Sequence, residues 1–296
     1  MFIIKYRKIF YILSVILIAG SIGAIFYWGL KPGIDFSGGS LLAISFKEVP
    51  SLEEVKGVLS VNFKDASVRE SGDGFIIRVR EISQIEKDSI MQSLSFADKY
   101  EPVEKTFSSV GPILGKEAIQ KSWISILLVL LAIVLFVAFA FRKVSKPISS
   151  WTYGLVAILA LLHDVIIPTG VFALLGHFYG FEVDTLFVTA LLVILGFSVH
   201  DTIVVFDRVR ENLHHNEEHN NKKSFETVVG ESISQTFIRS INTSLTTLLA
   251  IFVLYLFGPE AVRHFSLTLL IGITVGTYSS IFIGSPLLVI INNWRK

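Results

Sequence analysis

Cysteine is absent from the 296 residues of the chain, which excludes disulfide bonds, a thiol nucleophile and a cysteine-based metal site. Charge is also scarce, because 17% of the residues are charged where a soluble domain has about 25%. Neither sign dominates, since 26 basic and 25 acidic residues leave a net charge of +1. A nucleic-acid-binding protein would show a clear basic excess. These shortages argue against a soluble enzyme, a disordered chain and a nucleic-acid-binding protein.

Hydrophobic residues are abundant, at 52% of the chain, and the mean hydropathy is +0.63. A helix that spans a bilayer needs about 20 predominantly apolar residues. Six stretches meet this requirement, two of them interrupted only by a His-Asp pair: 9–30, 122–141, 151–176, 185–206, 240–257 and 265–294. The sequence therefore predicts an α-helical polytopic membrane protein with six transmembrane helices. In the long final stretch we expect either a kink at Pro286 or an end that lies in the membrane interface.

The basic residues outside 31–121 predict the orientation. Of these 14 residues, 13 would lie on one side of the membrane and only Arg263 on the other. The positive-inside rule places the 13 in the cytoplasm, so both termini are expected there and residues 31–121 outside. Residues 1–30 form the cytoplasmic N-terminus and first helix, interpreted as a retained anchor and not a cleaved signal peptide. Residues 122–296 form a five-helix membrane bundle with a cytoplasmic loop at about 207–238.

The segment 31–121 holds 26 of the 51 charged residues of the chain, so it is predicted to be a water-exposed domain. Its pattern of strand, helix, two strands, helix and strand is typical of an α+β ferredoxin-like domain. Capping boxes at 51–54 and 83–86 predict where the helices begin, and the turn signal at 71–74 predicts a hairpin. The segment has no histidine and no nucleophile–base pair. We expect a binding or mechanical role and no catalysis.

A glycine-rich segment lies where the first helix meets this domain. Three glycines in the seven residues 33–39 allow a tight backbone path. The Lys-Ser/Thr pair of a phosphate-binding loop does not follow. The segment is therefore interpreted as a structural junction or hinge, and its candidate residues are Gly33, Asp35, Phe36, Gly38 and Gly39.

Ionisable residues inside the predicted spans are functional candidates, because each costs about 2.5–3.5 kcal/mol to insert. Asp201 in the fourth span is either a proton-binding carboxylate that faces the bundle interior or a structural residue bonded to a hydroxyl group on the next helix. His163 and Asp164 in the third span either take part in a proton relay or form a static contact between helices. His200 is expected to point about 100° away from Asp201 on an ideal helix.

A cluster of charged residues ends the fourth span at the cytoplasmic face. Side chains three and four residues apart can pair on a helix, so anchoring of the chain at the interface is the expected role. The cluster comprises Asp207, Arg208, Arg210, Glu211 and Asn212. The histidines that follow lack a rigid spacing and are interpreted as a solvated run and not as a metal site: His214, His215 and His219.

Polar residues also open the fifth span. Arg239, Asn242, Thr243 and Thr246 can share one helical face, and hydroxyl and amide groups on such a face can hydrogen-bond to a neighbouring helix. Arg239 would either reach the cytoplasm with its long side chain or turn inward to Asp201 as a charged partner.

These motifs resemble those of the SecD/SecF family of protein-export membrane proteins, and in particular its SecF members. The resemblance rests on the residues at 33–39, 198–212 and 239–244, and it covers nearly the whole chain. A departure is His200, where the family usually has Asn, and this leaves one expected hydrogen-bond partner of Asp201 in question.

The resemblance implies a function that composition does not show. The chain would be one six-helix half of a bundle related to RND transporters, with SecD, a separate chain, as the other half. The pair would associate with the SecYEG channel in the bacterial inner membrane, with YajC as a further candidate partner. It would use the proton motive force to promote translocation and release of unfolded exported polypeptides, without a cofactor other than protons. Asp201 would carry the proton and Arg239 would be its charged partner, with His163, Asp164, Asn242 and Thr246 as further candidates for the relay.

Two other functions stay open. A scaffold that only stabilises SecD and the channel would tolerate changes at Asp201. Half of an RND-like exporter for a lipid or small molecule would transport its substrate without Sec components. A drug exporter usually has two large outside loops in one long chain, whereas this chain has one loop of modest size.

Overall fold

The structure, a computed structural model, describes residues 2–63, 66–96, 99–141, 148–219 and 223–294. It divides into two compact units. The polar unit is Pro32–Trp123, and the membrane unit combines Met1–Lys31 with Ile124–Lys296.

The helices and strands are defined here by their first and last residues. The helices are α1 (Phe2–Lys5), α2 (Arg7–Trp28), α3 (Ile34–Ser37), α4 (Leu52–Asn62), α5 (Gln84–Leu94), α6 (Pro112–Ala140), α7 (Ser150–Tyr179), α8 (Thr185–Glu218), α9 (Phe225–Phe257), α10 (Arg263–Ser279) and α11 (Ser285–Trp294). The strands are β1 (Gly39–Phe46), β2 (Ser67–Ser71), β3 (Gly74–Val79) and β4 (Pro102–Val110). A π-helical turn, Ser280–Gly284, joins α10 to α11.

Both capping boxes predicted in the polar unit are confirmed. The backbone N–H of Ser51 donates to the Glu54 carboxylate over 2.9 Å, and the N–H of Glu54 donates to the Ser51 hydroxyl over 3.3 Å. The same reciprocal pair joins Ser83 and Glu86 at the start of α5. In each box the serine N–H holds the pKa of the glutamate below its usual value.

The four strands form one antiparallel sheet in the order β2-β3-β1-β4. The hairpin between β2 and β3 closes from Ser71 to Gly74, as the turn signal predicts. Gly74 must lack a side chain, because a Cβ there would collide with the carbonyl oxygen of Ile44 on β1. At the other side of β1, Gly39 lies opposite Val110 of β4.

Alternate residues of β1 and β3 face the core of the polar unit, where α4 and α5 cover them. Burying side chains of this size contributes about 1.5–3 kcal/mol each. The core side chains include Leu42, Ile44, Val55, Leu59, Phe75, Ile77, Ile90 and Leu94. This core explains why the segment is a compact unit although it is rich in charge.

Among the described residues, six helices are long and apolar enough to cross a membrane. They are α2, α6, α7, α8, α9 and the continuous segment from α10 to α11, which match the six stretches predicted from the sequence. The chain is therefore a multi-pass membrane protein with mostly helical structure.

The predicted cytoplasmic loop at about 207–238 is wrong over most of its length. Helix α8 continues to Glu218 and α9 already begins at Phe225, where the Ser224 hydroxyl accepts the N–H of Thr227 over 3.2 Å. The prediction failed because polarity indicates exposure to water and does not end a helix. Six basic residues of the orientation argument lie outside the described residues: Arg142, Lys143, Lys146, Lys222, Arg295 and Lys296.

The membrane helices differ in how far the rest of the chain covers them. In their most apolar parts, α7, α8 and the α10–α11 segment are 56%, 50% and 61% buried, whereas α2, α6 and α9 are 17%, 6% and 11% buried. We call the first three the inner helices and the other three the outer helices. Close approach needs small residues: a Cβ at Gly272 of α10 would collide with Ile194 of α8, and one at Gly170 of α7 with Ser21 of α2.

The last span contains one widened turn and no break. In the π-helical turn Ser280–Gly284, the Ser285 hydroxyl donates to the carbonyl oxygen of Ser280 over 3.2 Å. Pro286 follows directly, and a proline cannot donate a helical hydrogen bond and crowds the carbonyl of the preceding turn. A π turn accommodates such a residue within a continuous helix, and such turns are frequent at functional sites.

Candidate functional site

Asp201 lies on the buried side of α8, facing the interior of the membrane unit. The N-cap of α8 is Asp184, whose carboxylate accepts the N–H of Phe187 over 2.7 Å. Asp201 is 6% exposed, and the hydroxyl of Ser280 donates to its Oδ2 atom. Asp201 is thus hydrogen-bonded to the first residue of the π-helical turn, Ser280.

Asp164 of α7 is buried more deeply, with none of its surface exposed. Its Oδ2 atom accepts the hydroxyl of Ser198 from α8 and, over 2.7 Å, the hydroxyl of Ser279 from α10. Its Oδ1 atom lies 2.8 Å from Nδ1 of His163. Three inner helices therefore meet at the Asp164 carboxylate.

His163 of α7 is buried on the side of the helix that faces α10. Its ring stacks on that of Tyr278 with 6.2 Å between centroids, and the Tyr278 hydroxyl donates to the carbonyl oxygen of Phe10 on α2 over 2.9 Å. In the part of the chain that the structure describes, Nε2 of His163 has no hydrogen-bond partner. The imidazole is thus anchored to Asp164 through Nδ1 alone.

The two carboxylates belong to one polar cluster, which we call the carboxylate cluster: Asp164, Ser198, Asp201, Ser279 and Ser280. The helices approach closely there because residue 276 is a glycine. A Cβ at Gly276 would lie 3.3 Å from the Ser198 hydroxyl and 3.7 Å from Oδ2 of Asp164. Ser198 and Asp201 are three residues apart on α8, which places them on the same face of the helix.

The polar residues predicted on the fifth span are not members of this cluster. Arg239, Asn242 and Thr246 are all exposed in this chain, and the Thr246 hydroxyl donates to the carbonyl of Thr243 over 2.9 Å. Within the described ranges Arg239 forms no ion pair with Asp201. Of the two orientations left open for Arg239, the structure shows the exposed one.

Arg239 lines a cavity of about 310 Å³ with Asp207, Arg208 and Glu211. The charges of the predicted cytoplasmic motif pair along α8: Asp207 with Arg210 over 2.7 Å and Arg208 with Glu211 over 2.5 Å. The pairing at i+3 is thus confirmed.

The same motif also joins α8 to α9. Nε of Arg208 and Nδ2 of Asn212 both donate to Gln235, over 2.6 and 2.9 Å. Asn212 Nδ2 further donates to the Ser232 hydroxyl over 2.8 Å. The motif therefore joins the C-terminal part of α8 to the N-terminal part of α9.

The histidines beyond the motif lie on the exposed last turns of α8. His215, Glu218 and His219 are all exposed, although one ligand atom of each lies within 4.8 Å of the others. Exposed groups of this kind are common without a metal, and the interpretation as a solvated run stays a prediction.

The glycine-rich junction contains a single helical turn, α3, followed by two residues with positive φ angles. Gly38 has φ +74°, and a Cβ there would lie 2.9 Å from Cα of Pro112. Gly39 has φ +112°, and a Cβ there would lie 2.7 Å from the carbonyl oxygen of Val79. Gly33 has no positive φ angle, so two of the three glycines of the segment, Gly38 and Gly39, are required by the backbone conformation. Asp35 and Phe36 lie in the helical turn α3 between them and Gly33.

A sequence model of the family described as "Protein export membrane protein SecD/SecF, C-terminal" matches residues 90–294. The chain belongs to the SecD/SecF family. Its relatives place it among the SecF members, the protein translocase subunits. It is 44% identical to the SecF of Thermobaculum terrenum, over 97% of this chain and 92% of that protein. It is 35% identical to the SecF of Vibrio alginolyticus, over 96% of this chain and 87% of that protein.

Two solved SecDF structures resemble the chain. The crystal structure of SecDF from Thermus thermophilus, a translocon-associated membrane protein, is 32% identical with a TM-score of 0.84 over 98% of this chain. A crystal structure of SecDF in its super-membrane-facing form is 31% identical with a TM-score of 0.66 over 99% of this chain. The chain spans 38% of the length of each of these SecDF proteins.

A hydroxyl partner of Asp201 was one of the two alternatives predicted from the sequence, but the sequence did not identify Ser280 as that partner or Ser279 as a partner of Asp164. Ser279, Ser280 and Gly276 lie in the apolar stretch 265–294, whose one ionisable residue is Tyr278, so nothing marked them as partners of a carboxylate. The available signal was the unusual number of serine and threonine residues in 266–285. Small hydroxyl residues are frequent where membrane helices pack closely.

Proposed function

We propose that this chain is the SecF half of a SecD–SecF pair that uses the proton motive force to promote protein translocation through SecYEG. The observation that carries the proposal is the buried carboxylate of Asp201 in the fourth span. An ionised carboxylate in an apolar interior is costly unless it is paired. Asp201 has a hydroxyl partner, Ser280, and none of the described residues gives it a cationic one, so in the proposed cycle this is the conformation that carries the proton.

Release of that proton requires a second conformation, in which a cation or water reaches Asp201. Arg239 is the candidate, since it lines the cavity beside Asp207 on the neighbouring helix. A membrane potential supplies about 2.3 kcal/mol per charge per 100 mV. One proton that moves through the bundle can therefore bias a conformational equilibrium by a few kcal/mol. The work on the exported chain would be conformational, without covalent chemistry.

SecD is the proposed partner of the exposed polar face of α9. Lipid tails offer no hydrogen-bond partners, so the exposed side chains of Arg239 and Asn242 require another protein surface or water. A second six-helix half would provide such a surface. The similar SecDF proteins, of whose length this chain spans 38%, are long enough to contain a second half of this kind.

The polar unit is proposed to be a ferredoxin-like domain on the outer side of the bacterial inner membrane, with both termini of the chain in the cytoplasm. The support for the domain type is the order of elements, β1-α4-β2-β3-α5-β4, together with the strand order β2-β3-β1-β4. The support for the orientation is the one-sided distribution of basic residues. In this position the unit would contact unfolded exported polypeptides as they leave the channel.

The test is proton-gradient-dependent translocation in vesicles that contain SecYEG, SecD and this chain. Asp201→Asn is expected to abolish the stimulation by the gradient, and Asp201→Glu, which keeps a carboxylate, is expected to retain part of it. Assembly is measured in the same vesicles by co-purification with SecD. Ser266→Ala is the matched control, because this buried serine of α10 donates only to its own helix at Val262, over 2.8 Å.

Other outcomes select other functions. Full stimulation in assembled Asp201→Asn would remove Asp201 from the mechanism. If the wild type also shows no stimulation while loss of the chain destabilises SecD, the scaffold function is correct. Transport of a lipid or small molecule in vesicles without Sec components would favour the exporter.

A further inference from the structure

We propose that Asp164 is a second proton-exchanging carboxylate of the bundle, which acts on Asp201 through the paired serines Ser279 and Ser280. This inference rests on the proposed function, in which Asp201 carries the coupled proton. It starts from a contrast in the site, because Asp164 is the more deeply buried of the two carboxylates and has the larger number of hydrogen-bond donors.

The charges of the carboxylate cluster require that it hold protons. Asp164 and Asp201 together would place two negative charges in the interior of the membrane unit, which is unfavourable without paired cations. Within the described residues, His163 is the basic side chain bonded to either carboxylate. The cluster therefore holds at least one proton, and loss or gain of one changes its charge by one.

His163 orients this proton site and does not neutralise it. If His163 were an imidazolium, its buried Nε2–H would have no acceptor among the described groups, and a buried charged donor without a partner is more costly than an unused lone pair. The neutral imidazole that donates Nδ1–H to Asp164 leaves only a lone pair unused. We infer that His163 is neutral, so the exchangeable proton belongs to the carboxyl groups.

The two carboxyl groups are mechanically linked. Ser279 donates to Asp164 over 2.7 Å and Ser280 donates to Asp201, and the α-carbons of consecutive residues are about 3.8 Å apart. A protonated carboxyl group no longer needs the same hydroxyl donor. A change of proton on one carboxyl therefore reorients one serine and moves the backbone that carries the other.

The backbone hydrogen bonding of two helices is irregular beside the carboxylate cluster. The π-helical turn begins at Ser280, one of the two serines that donate to the carboxylates. On α7, Pro168 lies four residues after Asp164, so the carbonyl of Asp164 lacks its usual helical donor. The helical hydrogen-bond pattern is therefore interrupted in α7 and again between α10 and α11, and helices bend at such interruptions.

The titratable side chains that surround Asp164 are few among the described residues. His163 lies on its own helix, Asp201 comes from α8, and Tyr278 comes from α10. On α2, Tyr11 has a buried hydroxyl without a hydrogen-bond partner among the described residues. The π-helical turn and α11 contain no titratable residue. Because the ordinary pKa of a tyrosine hydroxyl is about 10, pH-dependent coupling to Asp201 through this region near neutral pH must involve Asp164 or its histidine.

The experiment uses the complex with SecD in proteoliposomes and has two readouts. Infrared difference spectroscopy follows the C=O band of protonated carboxylic acids as the pH is changed, and translocation with SecYEG is measured over the same pH range. Asp164→Asn is expected to remove one carboxyl band and to shift the midpoint of the Asp201 band by about one pH unit or more, the size of coupling between interacting sites. The pH profile of translocation shifts with it.

Ser279→Ala keeps both carboxyl groups and removes only the link, so the midpoint is expected to shift with both bands retained. Ser279→Thr, which restores a hydroxyl, should return the midpoint to the wild-type value. Ser266→Ala, on the same helix, should change nothing. If Asp164→Asn does not assemble with SecD, the two Ser279 variants decide the question.

An unchanged Asp201 band and pH profile in assembled Asp164→Asn and Ser279→Ala would overturn the inference and make Asp164 a static contact between helices. Failure of the proposed function looks different. In that case Asp201→Asn leaves translocation unchanged, while the infrared bands still show whether the two carboxyl groups are coupled.

Discussion

The inner and outer helices of the membrane unit all qualify as spans by length and apolar composition, but they differ in environment. The α10–α11 segment and the outer helix α9 have the same mean hydropathy, yet the first is 61% buried and the second 11%. Hydropathy therefore identifies both as spans and does not distinguish them. The inner helices carry both acidic residues of the site, Asp164 and Asp201, and both are buried.

The outer helices are themselves of two kinds. From residue 124 onward the uncovered surface of α6 is apolar, with side chains such as Leu128 and Phe136 that suit contact with lipid. The uncovered surface of α9 carries Arg239, Asn242 and Thr246, which suit contact with protein or water. The difference favours α9 over α6 as the outer helix that contacts the partner in the proposed pair.

The largest expected effect comes from removing a large side chain between the inner helices. Phe206 of α8 is fully buried, and its ring lies 5.2 Å from that of Tyr153 and 6.1 Å from that of Phe141. Phe206→Ala should lower the free energy of unfolding by about 3–5 kcal/mol, because a cavity remains. Phe136→Ala on α6 is the matched control and should cost less than about 1 kcal/mol. Denaturant unfolding of the purified chain measures both, and equal losses would contradict the division into inner and outer helices.

A smaller effect is expected from adding volume where an outer helix touches an inner one. Gly170→Val on α7 introduces a Cβ that collides with Ser21 of α2, and overpacking of this kind costs about 1–3 kcal/mol. Gly23→Val on α2 is the control, since a Cβ there meets nothing within 4 Å. The melting temperatures of the two variants should differ in that direction. A similar fall in melting temperature for both variants would show that the helix propensity of valine, and not the contact with Ser21, causes the destabilisation.

The polar outer face should matter for association and not for folding of the chain alone. Asn242→Leu removes a polar group from the exposed side of α9 and should leave the unfolding of the isolated chain unchanged. Binding to SecD should weaken by about 1 kcal/mol, roughly fivefold, the scale of one hydrogen bond between membrane helices. Leu249→Val, an exposed apolar position on the same helix, is the control. Unchanged binding, titrated in detergent, would argue that this face contacts water.

The smallest effect is expected in the polar unit, where charges are exposed and screened. Glu86 has a lowered pKa because the Ser83 N–H binds its ionised form. Its stabilisation of α5 is therefore present above the usual glutamate pKa and is lost as the pH falls through the lowered value. Glu86→Gln should accelerate amide hydrogen exchange in the first turn of α5 at neutral pH, and the difference from wild type should disappear in acid. Glu53→Gln, outside the capping box, should show no such pH-dependent difference.

The features that the sequence predicts well are local. The capping boxes depend on residues three apart, and Ser51 with Glu54 forms the expected pair. The hairpin at 71–74 and the six apolar stretches are likewise readable from short windows. Each of these features is determined by chemistry within one turn or one segment.

The features that the sequence did not predict are of two kinds. The partners of the carboxylates are far away in the chain, since Asp164 and Ser279 are 115 residues apart. The continuation of α8 to Glu218 and the π-helical turn at 280–284 depend on how helices pack, which apolar periodicity does not report. The resemblance to SecF named Asp201, but only the structure shows which hydroxyl groups surround it.

The start and end of the sheet in the polar unit are adjacent. Gly39, at the beginning of β1, lies opposite Val110, at the end of β4. Because these strands are antiparallel neighbours, both connections of the unit leave from the same end of one ladder. A force that separates the two connections would break the ladder one hydrogen-bonded pair at a time, beginning with Gly39 and Val110. A force applied at the opposite end is shared by β1 and β4 and leaves the bonds between them unstretched. The unit should therefore withstand traction on its far end much better than separation of its two connections.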